Sequence, residues 1–306
     1  MTYGFDPELA PWAAMLPDID FADPVTARAE LSATYAQLPP YEATRPLTVT
    51  DEATAPVPVR IYAPAERTEP LPGLLCLHSG GFVAGGLDTV DASARHIADA
   101  VGAVVVSVDY RLAPEHPFPA GLEDCYAVLE WVAKNASVLG IDPTRVGVYG
   151  ESAGGGLAAA LTLLTRDRGG PELCFQHLEV PELDDRLDTP SMRAFTDTPV
   201  WHRPNAEASW RHYTGALGDA AEVSPYAAPA RAEDLNGLPP AWISVAEFDP
   251  LRDEGISYAH RLIQAGIPTE LHTYPGAFHC SFVVPGTAIT DRMLADRIAA
   301  LCRGLR

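Results

Sequence analysis

The 306-residue chain has no apolar run of the roughly eighteen residues that a membrane-spanning helix needs. Its first residues, MTYGFDPELAPW, are acidic and contain proline, so they lack the basic and apolar parts of a secretory signal. We therefore expect a soluble, cytoplasmic protein without integral membrane association.

Cysteine and histidine are both present, but not in the spacings that bind metals or form disulfide frameworks. The five cysteines are an odd number, are widely spaced and include no C-x-x-C pair. The nine histidines form no H-x-H or H-E-x-x-H pattern. These absences predict free thiols in a reducing compartment, no metal site and no cofactor.

Positive charge is scarce, since 21 Lys and Arg residues face 41 Asp and Glu residues and the formal net charge is −20. Nucleic acids and anionic membrane surfaces would repel such a chain, so we expect neither as a partner. With a mass of 32.7 kDa and 47% hydrophobic residues, one large α/β domain with an accessory segment is favoured over two independent domains.

The stretch VGVYGESAGGGLAAALTLLTRDRGG carries Gly150-Glu151-Ser152-Ala153-Gly154, which fits the pattern G-x-S-x-G. The run Val146–Tyr149 before it is typical of a buried strand, and Leu157–Leu164 after it has a helical period. A serine at this junction stands on a sharp turn at a helix N-terminus, where free N–H groups favour negative charge. The structural alternative is a glycine-rich turn with an incidental serine.

Strand-like and helix-like segments alternate along most of the chain. This alternation predicts an α/β fold with a mostly parallel, eight-stranded sheet flanked by helices. The predicted strands are Leu47–Asp51, Val57–Tyr62, Gly73–Leu77, Ala103–Val108, Val146–Tyr149, Leu173–Val180, Ala241–Phe248 and Thr269–Tyr274. The predicted helices are Pro7–Leu16, Pro24–Gln37, Asp88–Val101, Leu122–Lys134, Leu157–Leu164, Asp253–Ala265 and Thr290–Arg303.

Two segments fall outside this alternation. The insertion Pro181–Gly215 carries several large aromatic residues, which favour a packed lid over a disordered loop. The amphipathic segment Met1–Arg45 has apolar residues to spare, so it should pack on another surface. It either lines a substrate pocket or covers a sheet edge.

A serine hydroxyl needs a base to attack a carbonyl, and the base needs a carboxylate to fix its tautomer. Asp249 and His279 each follow a predicted strand closely, and ligand sites in open parallel sheets gather at the carboxyl ends of strands. The chain order Ser152, Asp249, His279 fits a serine nucleophile followed by the orienting carboxylate and then the histidine base. Asp249 could instead cap a helix that begins with Pro250, and His279 could be an ordinary loop histidine.

The segment His78-Ser79-Gly80-Gly81-Phe82 follows another buried strand. Its glycines leave backbone N–H groups unshielded, as an oxyanion requires, although a flexible loop is an equal alternative. His78 competes with His279 as base, but it precedes the serine and lies beside those N–H groups, so we assign it to shaping the loop. Glu151 is a competing carboxylate that should point away from Ser152 on a tight turn.

Five motifs together resemble the hormone-sensitive-lipase-like branch of the α/β-hydrolases. They are HSGGF at 78–82, DYRLAPEHPFPA at 109–120, GESAGG at 150–155, DPLRDEG at 249–255 and the loop that carries His279. The resemblance extends from about residue 47 to the end of the chain. It implies an α/β-hydrolase domain over 46–180 and 216–306, with a helical cap built from 1–45 and 181–215.

The resemblance also implies roles for individual residues. Ser152 would be the nucleophile, His279 the base and Asp249 its orienting carboxylate. The backbone N–H groups of Gly80, Gly81 and Ala153 would form the oxyanion hole. Ser79 departs from the family's usual H-G-G-G; activity should survive, because the backbone of that position need not face the oxyanion. The candidate pocket residues are Phe82, Val83, Trp201 and Phe278.

The function so implied is that of a serine carboxylesterase, which hydrolyses small-molecule esters of short to medium acyl chains through an acyl-enzyme. Members of this family are often dimeric, so a homodimer is expected. Lactonase, amidase and acyltransferase chemistry would use the same groups and stay open. A ligand-binding receptor on this fold is a further alternative, which the presence of His279 disfavours.

Overall fold

The computed structural model describes residues 3–53, 57–215 and 223–306, which form a single sheet with helices on both faces. The predicted polar turn before Val57 lies mostly outside the described residues. The strands are β1 Leu47–Ala53, β2 Pro58–Pro64, β3 Leu71–Leu77, β4 Val104–Val108, β5 Ile141–Glu151, β6 Phe175–Glu179, β7 Ala241–Phe248 and β8 Thr269–Phe278.

The eight strands lie in the order β1-β2-β4-β3-β5-β6-β7-β8. β2 runs antiparallel to both β1 and β4, whereas the pairs β4-β3, β3-β5, β5-β6, β6-β7 and β7-β8 are all parallel. The predicted mostly parallel, eight-stranded sheet is confirmed. Because parallel strands share a direction, β5, β7 and β8 end at the same edge of the sheet.

The helices of the described residues flank this sheet. They are α1 Ala10–Ala13, α2 Pro24–Tyr35, α3 Asp91–Val101, α4 Ala120–Leu139, α5 Ala153–Arg168, α6 Pro190–Ala194, α7 Arg203–Thr214, α8 Arg252–Gln264 and α9 Ala288–Gly304. α2 begins where the sequence predicts, because Asp23 caps it by accepting hydrogen bonds from the backbone N–H groups of Val25 and Thr26.

Two apolar cores lie on opposite faces of the sheet. Successive side chains of a strand point to opposite faces, so Leu75 and Leu77 pack with residues of α4, α5 and α8. Leu74 and Cys76 pack on the other face with residues of α3 and α9. Because a core covers each face of the sheet, all five residues of β4 (VVVSV) are buried, as expected of a strand inside such a sheet.

The structure differs from the sequence prediction at two places near the site. β8 continues through Phe278, where the sequence predicts a loop from Pro275. Proline lacks the backbone N–H that pairs neighbouring strands. Pro275 is tolerated because β8 is the last strand of the sheet, so its outer side needs few such N–H donors. The helix predicted over Pro7–Leu16 is regular only at Ala10–Ala13, with turns on either side.

Across residues 3–53, 57–215 and 223–306, no helix combines the length and apolar character needed to cross a membrane. In the same residues, no three His, Cys, Asp or Glu side chains are grouped so that they could hold a metal ion. All five cysteines are free thiols, as the sequence predicts.

Candidate active site

Ser152 stands on the turn between β5 and α5, with φ of 55° and ψ of −118°. This left-handed backbone is uncommon for a residue with a side chain and marks local strain. A Cβ atom at Gly150 would lie 2.0 Å from the carbonyl oxygen of Gly154, and one at Gly154 would lie 2.1 Å from that of Leu77. The flanking glycines are therefore required by close backbone approach, which is why the turn has the sequence G-x-S-x-G.

Three buried side chains form a continuous hydrogen-bonded chain at the carboxyl edge of the sheet. His279 Nε2 lies 2.9 Å from Ser152 Oγ, and His279 Nδ1 lies 2.7 Å from Asp249 Oδ2. Each of the three is 2% exposed or less, so bulk water does not compete for these bonds. The arrangement suits proton transfer from the serine hydroxyl to a histidine that a carboxylate orients.

Asp249 directly follows β7 and divides its two oxygens between two partners. Oδ2 contacts His279, while Oδ1 accepts a hydrogen bond of 2.9 Å from the backbone N–H of Leu251. The N-cap of α8 is Leu251 and no side chain caps it. The structural alternative, in which Asp249 caps this helix, therefore does not describe the fold.

The segment after β3 brings Gly80 and Gly81 beside Ser152, and all three residues line one cavity. The carbonyl of Gly80 accepts hydrogen bonds from the N–H groups of Val83 and Ala84, which fixes the loop. Among the described residues, none accepts a hydrogen bond from the N–H of Gly80, Gly81 or Ala153. Ala153 is the first residue of α5, so its free N–H is that of a helix N-terminus.

His78 is buried and holds the loop by three contacts. Its Nδ1–H donates to the carbonyl of Ser79 at 2.8 Å, its ring stacks on Tyr110 with centroids 4.0 Å apart, and its carbonyl accepts from the Tyr110 hydroxyl. Burial lowers the pKa of His78 to about 4, so the ring is neutral at physiological pH. These contacts support the loop-shaping role rather than that of a competing base.

Ser79, the departure from H-G-G-G, lines the cavity together with Tyr35 of α2. Burial raises the pKa of Tyr35, and the nearby Ser79 hydroxyl acts in the opposite direction. Ser79 therefore adds a polar group to the cavity where the loop meets the N-terminal segment, which glycine at this position would not do.

The cavity next to Ser152 and His279 has a volume of about 80 Å³ and is mostly apolar. No Asp, Glu, Lys or Arg is among the described residues that line it. The N-terminal segment contributes Leu16, Ile19, Phe21, Leu31, Tyr35 and Leu38, and the insertion contributes Val200 and Trp201. Both segments outside the sheet therefore reach the same cavity.

Of the four candidate pocket residues, Trp201 lines this cavity and the other three do not. Phe82 stacks on Tyr213 with ring centroids 3.9 Å apart, Val83 is buried among apolar side chains, and Phe278 packs edge-on against Phe5. This corrects the expectation for Phe82, Val83 and Phe278. Proximity in sequence to the loop and to His279 does not fix the direction of a side chain, which here is set by core packing.

Glu151 points away from Ser152 into a buried charged cluster. Its carboxylate accepts hydrogen bonds from Ser93 and Tyr149, and Arg297 binds the neighbouring Glu179 with Nη2 and Oε2 2.6 Å apart. The backbone carbonyl of Glu179 in turn accepts from the N–H of Ser152 at 2.8 Å. Burial raises the pKa of Glu179, and Arg297 opposes that shift.

We expect Arg297→Met to lower the free energy of unfolding by about 3–5 kcal/mol, because two buried carboxylates would lose their counter-charge. Arg292→Met on the same helix is the control, since Arg292 is exposed and its single ion pair with Asp296 contributes less than about 1 kcal/mol. Urea unfolding at neutral pH measures both. Equal losses in the two variants would show that the buried cluster is not stabilised by Arg297.

Two polar residues next to the site, Glu182 and Ser209, are not among those predicted from the sequence. Both are fully buried, and the Ser209 hydroxyl lies 2.8 Å from the carbonyl of Gly81. A glutamate just after the apolar strand in LEVPELDD is a signal that sequence analysis could have used. Nothing in the sequence marks Ser209, whose place in the site depends on how α7 packs.

Comparison with known proteins adds independent findings. A family described as the α/β hydrolase fold matches residues 74–283. The chain is 44% identical over 261 residues to carboxylesterase NlhH of Mycobacterium tuberculosis, covering 83% of this chain and 82% of that protein. It is 43% identical over 231 residues to esterase LipI of the same species, covering 75% and 72%.

A solved structure titled bacterial heroin esterase superposes with a TM-score of 0.93 at 46% identity. The match covers 99% of this chain and 98% of that one. The similarity therefore includes the N-terminal segment and the insertion as well as the sheet.

Proposed function

Because the chain belongs to the α/β-hydrolase family and is an esterase of that class, we propose that it cleaves carboxylic esters through Ser152, His279 and Asp249. The observation that supports this most directly is the chain of two hydrogen bonds from Asp249 through His279 to Ser152, of 2.7 and 2.9 Å. The geometry of these residues and the strained turn that presents the serine support the roles proposed for them.

Acylation begins when His279 Nε2 takes the proton of Ser152 Oγ as the oxygen attacks the ester carbonyl. Asp249 accepts from Nδ1–H, which keeps Nε2 free as the base and stabilises the imidazolium that forms. The carbonyl oxygen becomes negative and is bound by the N–H groups of Gly80, Gly81 and Ala153. His279 then gives its proton to the departing alcohol, and the acyl group stays on Ser152.

Deacylation repeats these steps with water as the nucleophile. His279 takes a proton from the water, which attacks the acyl-enzyme carbonyl beside the same N–H groups. Collapse of the second tetrahedral intermediate returns the proton to Ser152 Oγ and releases the carboxylic acid.

We assign short to medium acyl esters as substrates from the size and lining of the cavity. A volume of about 80 Å³ is well below the roughly 300–1,000 Å³ of sites for drug-sized ligands. Its apolar walls favour hydrocarbon over charged groups. The segments 1–45 and 181–215 act as a cap that limits the depth of the site and excludes water; residues 1–2 lie outside the described part of the first segment.

Leu31→Ala is expected to shift chain-length selectivity toward longer acyl groups. Leu31 belongs to α2 and lines the cavity, so its truncation deepens the site. Room for two more buried methylene groups, at about 0.8 kcal/mol each, corresponds to a roughly tenfold rise in kcat/KM for octanoate relative to butyrate. Initial rates on a series of p-nitrophenyl esters measure this ratio.

Val25→Ala on the same helix is the control, because Val25 is 73% exposed and does not line the cavity. Its selectivity should match that of the unmodified protein. An unchanged ratio in Leu31→Ala would mean that α2 only covers the fold and that the N-terminal segment is no part of the cap.

Labelling with a fluorophosphonate tests the proposed chemistry. An activated Ser152 should form one covalent adduct per chain, located by peptide mass spectrometry on the GESAGG segment. Comparison of matched ester, lactone and amide substrates then separates an esterase from the alternatives that use the same groups. A protein that binds esters without labelling or turnover would be a receptor on this fold.

A further inference from the structure

Glu182 is a buried carboxyl group behind the loop that carries Gly81, and the proposed reaction gives it no role. It lies beyond the end of β6 and has no exposed surface. Oε1 is 3.2 Å from Ser209 Oγ, while Oε2 has no hydrogen-bond partner among the described residues. No basic side chain in those residues pairs with it, so its negative charge would be uncompensated.

Ser209 connects this carboxyl group to the loop. Its Oγ lies 2.8 Å from the carbonyl oxygen of Gly81 and 3.2 Å from Glu182 Oε1. A hydroxyl has one proton to donate, and a carbonyl can only accept. If Glu182 is ionised, two acceptors compete for the one Ser209 proton. If Glu182 is protonated, it donates to Ser209 Oγ, and Ser209 donates to Gly81 without competition.

We propose that Glu182 in its neutral form is a positioning residue, which through Ser209 fixes the Gly81 carbonyl and so holds the N–H groups of the loop toward the oxyanion. The proposal rests on the proposed function, since it assigns the loop of Gly80 and Gly81 to oxyanion binding. Gly81 has a φ of 55° and no side chain, so hydrogen bonds and the adjacent Trp201 ring are what restrict it.

The surroundings of Glu182 favour the neutral form. The titratable groups that face it are Asp249 after β7, Glu254 of α8, Tyr213 of α7 and Tyr110 after β4, all of them acids. Burial raises the pKa of Glu182 to about 8, and the charge of Asp249 acts in the same direction. Burial also raises the pKa of both tyrosines, which keeps them neutral over this range.

The protonation state of Glu182 sets the direction of the pH dependence. Below pH 8 Glu182 carries its proton and the loop is held; above it the carboxylate draws the Ser209 proton away from Gly81. We expect kcat to fall by about tenfold as pH rises from 7 to 10, as one supporting hydrogen bond of the oxyanion site weakens. KM should change little, because the bond matters most when the oxyanion forms.

The experiment compares kcat and KM from pH 6 to 10 for the full chain and three variants. Glu182→Gln places an amide donor beside Ser209 at every pH, so it should retain most of the neutral-pH kcat and lose the alkaline fall. Ser209→Ala should lower kcat about tenfold at pH 7 and also abolish the fall. Glu254→Gln is the matched control, because Glu254 is an equally buried acid that accepts from Leu183 N–H and does not contact the loop; its alkaline fall should persist.

A flat profile to pH 10 in the unmodified protein overturns the proposal, as does an alkaline fall in Glu182→Gln that matches the unmodified one. Fluorophosphonate titration of each variant counts the reactive sites and separates this failure from that of the proposed function. If the unmodified protein is not labelled at Ser152, the reaction assignment fails. If labelling is normal but the profiles of Glu182→Gln and the unmodified protein coincide, only the role of Glu182 fails.

Discussion

Ser152→Ala is expected to lower kcat on a p-nitrophenyl ester by a factor of about 10⁴ or more while leaving the fold intact. The variant loses the attacking oxygen, so no acyl-enzyme can form. In the described part of the chain the hydroxyl forms a hydrogen bond only with His279, and alanine tolerates the φ of 55° no worse than serine does. Initial rates, the melting temperature and fluorophosphonate labelling together measure the result.

Ser281→Ala provides a matched control for this variant. Ser281 is buried two residues after His279, and its hydroxyl has no hydrogen-bond partner among the described residues. Ser281→Ala removes one hydroxyl oxygen, as Ser152→Ala does, but it should leave kcat nearly unchanged. Retention of more than about a hundredth of kcat in Ser152→Ala would reject Ser152 as the nucleophile.

Asp249→Asn should lower kcat by a factor of about 10⁴, because the amide reverses the histidine tautomer. The Leu251 N–H already requires an oxygen acceptor at 2.9 Å, so the amide oxygen takes the place of Oδ1. The NH₂ group then faces His279 Nδ1 and makes it an acceptor. The proton moves to Nε2, which points at Ser152 Oγ and can no longer accept from it.

Asp253→Asn separates this effect from a general loss of charge at the start of α8. Asp253 lies in the first turn of α8, pairs with Arg252 and accepts from the Ser191 N–H, but it does not contact His279. Its kcat should stay close to that of the unmodified protein. If Asp249→Asn changes only the melting temperature, Asp249 has a structural role and the assignment of the third catalytic residue fails.

The sequence was sufficient for those parts of the protein that local patterns encode. A β-branched run followed by a glycine-flanked serine and a helical period places Ser152 on a strand-to-helix turn, and the structure has that turn. The alternation of strands and helices predicts a parallel sheet, whose common edge explains why Asp249 and His279 reach Ser152 from distant parts of the chain.

The sequence was less informative where a long-range contact overrides a local signal. Pro275 and Gly276 are typical of a loop, yet β8 continues past them because Phe278 pairs with Phe248 and the Gly276 carbonyl accepts from the N–H of Asp6. Phe82 and Phe278 flank the site in sequence, but core packing turns both rings away from the cavity.

The sequence by itself determined the fold class and the three candidate catalytic residues, because periodicity and turn chemistry depend on neighbouring residues and place all three at strand ends. The resemblance of its five motifs indicated the family. Only the tertiary structure decided which side chains line the cavity, and that Ser209 and Glu182 lie behind the Gly81 loop while Arg297 pairs with Glu179 beside the serine turn. These contacts join residues that are distant in the chain. They depend on how helices pack on the sheet, so no local pattern specifies them.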